Sequence, residues 1–196
     1  LASEVQRAAA EGYKIFKIHT CEYYDVLLQN RAVEEVAPHG FKMHYDFNHN
    51  RSLGSVLPII KELEKNYPIV GYIEDPLDKR DIDGWRRLRQ QTDLPLIMHG
   101  TPLGGVQELI YGLADMYMIG GSLEDTMAAG WACGKANIQV LLQFEGGTLG
   151  KAMAMSLGAQ GCAVALNYCH GKEKAEETFA EFTDRGYRGV LVQANA

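Results

Sequence analysis

The sequence predicts an α/β fold, an incomplete or improvised (β/α)8 barrel of parallel strands. Two observations carry that expectation. Short apolar runs alternate with helical stretches, spaced roughly 20–30 residues apart, which is the rhythm of right-handed βαβ units. Polar residues also recur at the same end of consecutive runs, where barrels place their functional groups. The runs are 13–19, 41–47, 69–74, 94–99, 115–119, 138–143, 162–168 and 189–194. Each is rich in Val, Ile, Leu, Tyr or Met and bounded by turn residues. Eight such runs fit a barrel and six or seven fit an open sheet; periodicity does not choose, and the chemistry at the strand ends favours the barrel.

Between the runs lie helices. Residues 1–12 read as a short charged helix. Leu53, Val56, Leu57, Ile60 and Leu63 share a helical face. Trp85 and Leu88 do the same, with Asp81 or Asp83 as N-cap. Ala175, Phe179 and Phe182 mark a later helix that stops at Gly186. Neither an internal repeat nor a low-complexity stretch interrupts this rhythm.

The 196 residues suffice for one sizeable core. At 46% hydrophobic and 22% charged, the composition is that of a soluble globular protein. The formal net charge of -6 argues against nucleic-acid binding, which usually needs a basic face. No apolar run approaches the ~20 residues of a membrane span. The first residues have no apolar core of a signal peptide, and a start at Leu1 reads as a fragment or a processed product. Cys21, Cys133, Cys162 and Cys169 form no C-x-x-C pair, so they are expected to be reduced, in a cytoplasmic protein.

The strand ends supply the chemistry. The first run ends Lys17-Ile18-His19, whose alternation sends Lys17 and His19 to one side. The next three end in Asp46-Phe47-Asn48, Glu74-Asp75-Pro76 and His99-Gly100. Carboxylates on adjacent strands suit a hard divalent cation such as Mg²⁺. A Lys or His beside such an ion can abstract a proton next to a substrate carboxylate. Each of these residues taken singly is more simply an ordinary polar strand-end residue; the regular spacing of the set argues otherwise.

Several stretches resemble the enolase superfamily of the mandelate racemase and muconate lactonizing enzyme type. Gly12 to His19 resembles its glycine-aromatic-lysine-x-lysine strand. Tyr45-Asp46-Phe47-Asn48 and Tyr72-Ile73-Glu74-Asp75-Pro76 resemble the strands of the first two metal ligands. The stretch from Pro95 to Gly100 resembles the strand of the third, and Gly120-Gly121 the glycine pair after a later strand. The resemblance runs over residues 1–160. It implies Asp46 and Glu74 as metal ligands, His99 as a third, and Lys17 and His19 as the polarising and proton-abstracting pair. It implies Mg²⁺, with Mn²⁺ as a substitute, stabilising the enediolate of a sugar acid or related carboxylate in a lyase or isomerase reaction. A homo-oligomer is possible for such a parent.

Departures are visible. His19 replaces the second lysine, no acid follows at the third ligand strand, and Gln143 and Glu145 stand where relatives can carry a catalytic histidine. His44 and His49 read as loop or supporting residues. Within this chain the resemblance is expected to lack the family's first barrel strand and its capping domain.

Residues 161–196 form the second expected unit. With the stretch from Gly146 they resemble the N-terminal segment of short-chain dehydrogenases/reductases. Gly146, Gly147 and Gly150 resemble its glycine-rich turn, with about two residues lost, and 161–168, 172–186 and 190–195 resemble its next strand, helix and strand. That resemblance implies NAD(P) held by these glycines at a helix N-terminus. The short loop and the absence of a downstream Tyr-x-x-x-Lys predict no useful NAD(P)H binding. The alternatives to an enolase-type enzyme are therefore a reductase fragment or a catalytically inactive barrel remnant. The two C-terminal runs are expected to complete the barrel, with 189–194 lying beside 13–19.

Overall fold

A computed structural model describes residues 1–101, 106–120, 122–142, 147–168 and 171–193. Its elements alternate as the runs predict. They are α1 (Ala2–Ala10), β1 (Ile15–His19), α2 (Val26–Glu34), β2 (Lys42–Asp46), α3 (Leu53–Asn66), β3 (Val70–Glu74), α4 (Ile82–Arg89) and β4 (Leu96–His99). There follow α5 (Val106–Tyr111), β5 (Met116–Ile119), α6 (Leu123–Lys135), β6 (Gln139–Leu142), α7 (Gly147–Ala159), β7 (Val164–Tyr168), α8 (Lys172–Asp184) and β8 (Gly189–Gln193).

Local signals set the helix starts. Ser52 caps α3, and Ser55 returns a bond to the Ser52 backbone, a reciprocal capping arrangement. Asp81, not Asp83, caps α4 by accepting from the Gly84 N–H at 2.9 Å. A side chain at Gly84 would meet the Asp81 carboxylate, with a Cβ only 2.1 Å from Oδ2, so this cap needs glycine. Arg86, Arg87 and Arg89 crowd the last turn of α4, where positive charge suits the helix dipole.

Strands β1 to β6 form one parallel sheet in sequential order, curled as a half-barrel. Its outer face packs on the helices through Met43, Tyr45, Val56, Ile60, Leu63, Ile73, Trp85 and Leu88, all fully buried. A bulge lies in the β2–β3 ladder. Met43 pairs with Val70, but His44 pairs with Tyr72, leaving Gly71 as the extra residue. From there on the register is shifted by one, and Asp46 sits beside Glu74 rather than Ile73. A one-residue slip in a strand exchanges its two faces, so this bulge decides which side chain joins Asp46.

The expected closure is not found. Strands β7 and β8 form a separate two-stranded parallel sheet, and β8 pairs with β7, not with β1. Strand β7 approaches β6 without joining its ladder. A second, small apolar cluster explains the separation. Ala154, Leu157, Val164 and Phe182 bury one another, with Tyr187 edge-on to Phe182 at 5.3 Å between ring centres. Met127 and Leu142 pack against this cluster, and Leu142 also packs against the main core. The C-terminal strands thus satisfy one apolar face locally.

Among the described residues, no helix is long and apolar enough to cross a membrane. Cys21, Cys133 and Cys162 are free thiols, and Cys169 lies outside the described residues.

Candidate functional site at the strand ends

The sheet register assembles the site. Lys17 lies beside His44, His19 beside Asp46, and Asp46 beside Glu74. On the next strand Ile97 is the neighbour of Glu74, which brings His99 two residues further along the same face. Four strand C-termini therefore converge.

Lys17 joins the two acids. Its Nζ is 3.0 Å from Asp46 Oδ2 and 2.8 Å from Glu74 Oε2. Burial disfavours its charge, but the contacts with Glu74 and Asp46 outweigh that and raise its pKa. Lys17 is thus held as an ammonium. Asp46 also meets His19 Nε2 at 3.1 Å and accepts from the Asn48 N–H at 2.9 Å.

Glu74 is fully buried. Burial alone would raise its pKa, yet His44 and Lys17 hold it down to about 2. His44 Nε2 is 2.6 Å from Oε2, and His99 Nδ1 stands 3.8 Å from Oε1. Neither carboxylate oxygen has an aligned hydrogen-bond donor despite these ion contacts.

Asp75 is a hub that sequence reading passed over. It adopts φ 44°, a left-handed conformation unusual outside glycine, as do Asn48 (49°) and His49 (59°) across from it. Its Oδ1 accepts from the His99 backbone N–H at 2.9 Å, and its Oδ2 meets His49 Nε2 at 2.9 Å and Lys79 at 3.9 Å. Asp75 thereby ties the ends of β2, β3 and β4 together. Burial, helped by the charges of Glu74 and Asp46, lifts its pKa to about 7 against the pull of the His99 N–H and Lys79. His44 is a buried residue of β2 in direct contact with Glu74, which is the supporting position of the two expected for it and not the loop one. The one available signal was its place two residues before Asp46, on the same face.

The donor set fits a divalent cation. Glu74, Asp75 and His99 offer ligand atoms all within 4.8 Å of one another. The buried oxygens of Glu74 contact Lys17, His44 and His99 without an aligned hydrogen-bond donor, which leaves them lone pairs for a cation. Of the glycines expected at a nucleotide loop, Gly147 and Gly150 lie in α7, while Gly146 lies outside the described residues, as do Gln143 and Glu145.

Similarity to known proteins agrees with this architecture. The fold resembles N-succinyl Arg/Lys racemase from Bacillus cereus (TM-score 0.68, 21% identity, 78% of this chain and 44% of that one). It also resembles L-Ala-D/L-Glu epimerase from Bacillus subtilis (TM-score 0.68, 17% identity, 78% and 46%). D-glucarate dehydratase from Agrobacterium tumefaciens, solved with magnesium, is similar too (TM-score 0.64, 18% identity, 74% and 41%). The chain spans less than half the length of these structures. A 55-residue stretch is 42% identical to tetrahydroxynaphthalene reductase from Pyricularia oryzae, covering 28% of this chain and 19% of the reductase. The sequence matches the family described as enolase C-terminal domain-like over residues 1–185, past the point near 160 where the motif resemblance stops. The chain belongs to that family.

Proposed function

We propose that this chain is the metal-binding barrel portion of an enzyme that abstracts a proton alpha to the carboxylate of a small acid, a sugar acid or a relative. The reaction class is lyase or isomerase. The observation that supports it most is the convergence of Lys17, His19, Asp46 and Glu74 at adjacent strand ends. Asp46 and Glu74 would hold Mg²⁺ or Mn²⁺, with His99 as a third ligand. The bound ion would supply Lewis-acid stabilisation of negative charge on the substrate carboxylate.

The residues divide the remaining work. Lys17, paired with both carboxylates, serves as a positive charge for the substrate carboxylate. His19, more than half exposed and anchored through Nε2 to Asp46, presents Nδ1 as the base. The substrate C–H bond breaks, its proton passes to Nδ1, and the electron pair moves toward the carboxylate. A cytoplasmic setting and a homo-oligomeric parent are part of this reading.

The test is exchange of the α-proton of small hydroxy acids in deuterated water, followed by proton NMR with Mg²⁺ present. His19→Asn should slow exchange on the order of 100-fold or more. Asp46→Ala should abolish Mg²⁺ binding in calorimetry. Equal Mg²⁺ affinity in wild type and Asp46→Ala removes the assignment.

A second reading, an NAD(P)-linked reductase fragment, rests on the 55-residue similarity. It needs Gly146, Gly147 and Gly150 to cradle a pyrophosphate. NADPH fluorescence titration decides it: the shortened loop predicts no useful binding, and micromolar affinity would promote this reading.

A further inference from the structure

We infer that Glu74, Asp75 and His99 form a mixed oxygen and nitrogen site that selects a borderline first-row divalent ion of the Zn²⁺ kind over Mg²⁺. The inference rests on the reading of these strand ends as a metal site, and it puts Asp75 in the place of Asp46 as a ligand.

The two oxygens of Glu74 face different surroundings. Oε2 is taken by Lys17 at 2.8 Å and His44 at 2.6 Å. Oε1 is buried too, meets only His99 Nδ1 at 3.8 Å among these ion contacts, and like Oε2 has no aligned hydrogen-bond donor. That gap is too long for a hydrogen bond. It suits two ligands of one ion. At metal–ligand distances of about 2.0–2.2 Å, two ligands of zinc lie at most roughly 4 Å apart. The 4.8 Å limit for the whole Glu74, Asp75 and His99 set requires side-chain movement of under about an ångström to reach that range.

Oxygen donors alone would suit Mg²⁺, which prefers six of them in a strict octahedron. An imidazole changes the preference. Histidine nitrogen suits Zn²⁺, Co²⁺ and Ni²⁺, and sites of three protein ligands with an open position are the usual form of a catalytic zinc centre. Asp75 is held in place by His49 and by the His99 backbone N–H, so the carboxylate and the imidazole share one mounting.

The experiment compares Zn²⁺ and Mg²⁺ affinity by calorimetry in chelator-treated full chain, for wild type and His99→Asn. Because most nitrogen-containing sites bind Zn²⁺ more tightly than Mg²⁺, the decisive quantity is the change in the ratio of the two affinities. His99 is part-exposed, so the substitution should leave the fold intact, and circular dichroism checks this. The ratio is expected to fall at least tenfold in His99→Asn, mainly through weaker Zn²⁺ binding. In labelled wild-type protein, histidine ¹⁵N NMR should show Zn²⁺ shifting the His99 Nδ1 resonance. An unchanged ratio, or an Nδ1 resonance that Zn²⁺ does not move, overturns the inference while the Asp46-dependent reading of Mg²⁺ stands. Zn²⁺ binding that depends on His99 in an Asp46→Ala background, with Mg²⁺ affinity unaffected by that change, removes the Asp46 assignment and leaves the inference intact. A chain that binds neither ion overturns both.

Discussion

Strands β2 and β7 are both five-residue parallel strands, and they are packed very differently. In β2, four successive residues from Met43 to Asp46 are buried, those facing the helices and those facing the site alike. In β7 only Val164 is buried, and in its partner β8 Val190 remains 57% exposed. Parallel strands are normally covered on both faces. In the first region the inner strands β2, β4 and β5 meet that condition, whereas the edge strands β1 and β6 have no buried residue. The second meets it on one face only, through Phe182 and its neighbours. Strand propensity therefore makes the element, whereas burial on two faces has to come from a partner surface.

The largest test of this contrast is Trp85→Ala. It removes a fully buried indole that packs in the main core and donates to the Asp78 carbonyl at 3.0 Å. A loss of about 3–5 kcal/mol is expected, seen in urea unfolding followed by circular dichroism. A loss below about 1 kcal/mol would mean that the main core is not where stability resides.

Gly158→Ala probes the smaller core. A Cβ there would lie 2.5 Å from the Tyr187 ring and 2.7 Å from Phe182, so the rings must shift. Overpacking of this kind costs about 1–3 kcal/mol. Hydrogen exchange should quicken in α7, β7, α8 and β8 and stay unchanged in β2 and β3. Uniform quickening would show one cooperative unit instead of two.

The smallest effect concerns pH. Glu64 accepts from Lys61, the Asp93 N–H and the Thr92 hydroxyl. Partial burial opposes its charge, but these contacts outweigh it and depress its pKa. A carboxylate with a folded pKa below its unfolded one stabilises the fold above the unfolded value and loses that contribution as pH falls through the folded value. Glu64→Gln should therefore be less stable than wild type at neutral pH, and the difference should vanish in acid. A difference that persists unchanged at low pH would assign the effect to packing.

Much of this molecule is written locally. The strands of the described residues, the Asp81 cap and the alternation that sends Lys17 and His19 to one side depend on residues within a few positions of each other. So does the location of Asp46, Glu74 and His99 at strand ends. What tertiary structure decided is non-local. The Gly71 bulge sets Glu74 rather than Ile73 beside Asp46, and sequence spacing carries no register information of that kind. Asp75 became the link between three strand ends because β2 and β4 both deliver donors to it, which the Glu-Asp-Pro stretch does not show by itself. The separation of β7 and β8 from β1 follows the same logic: periodicity specifies a strand, but its neighbour depends on the apolar surface it packs against, and here that surface belongs to α7 and α8.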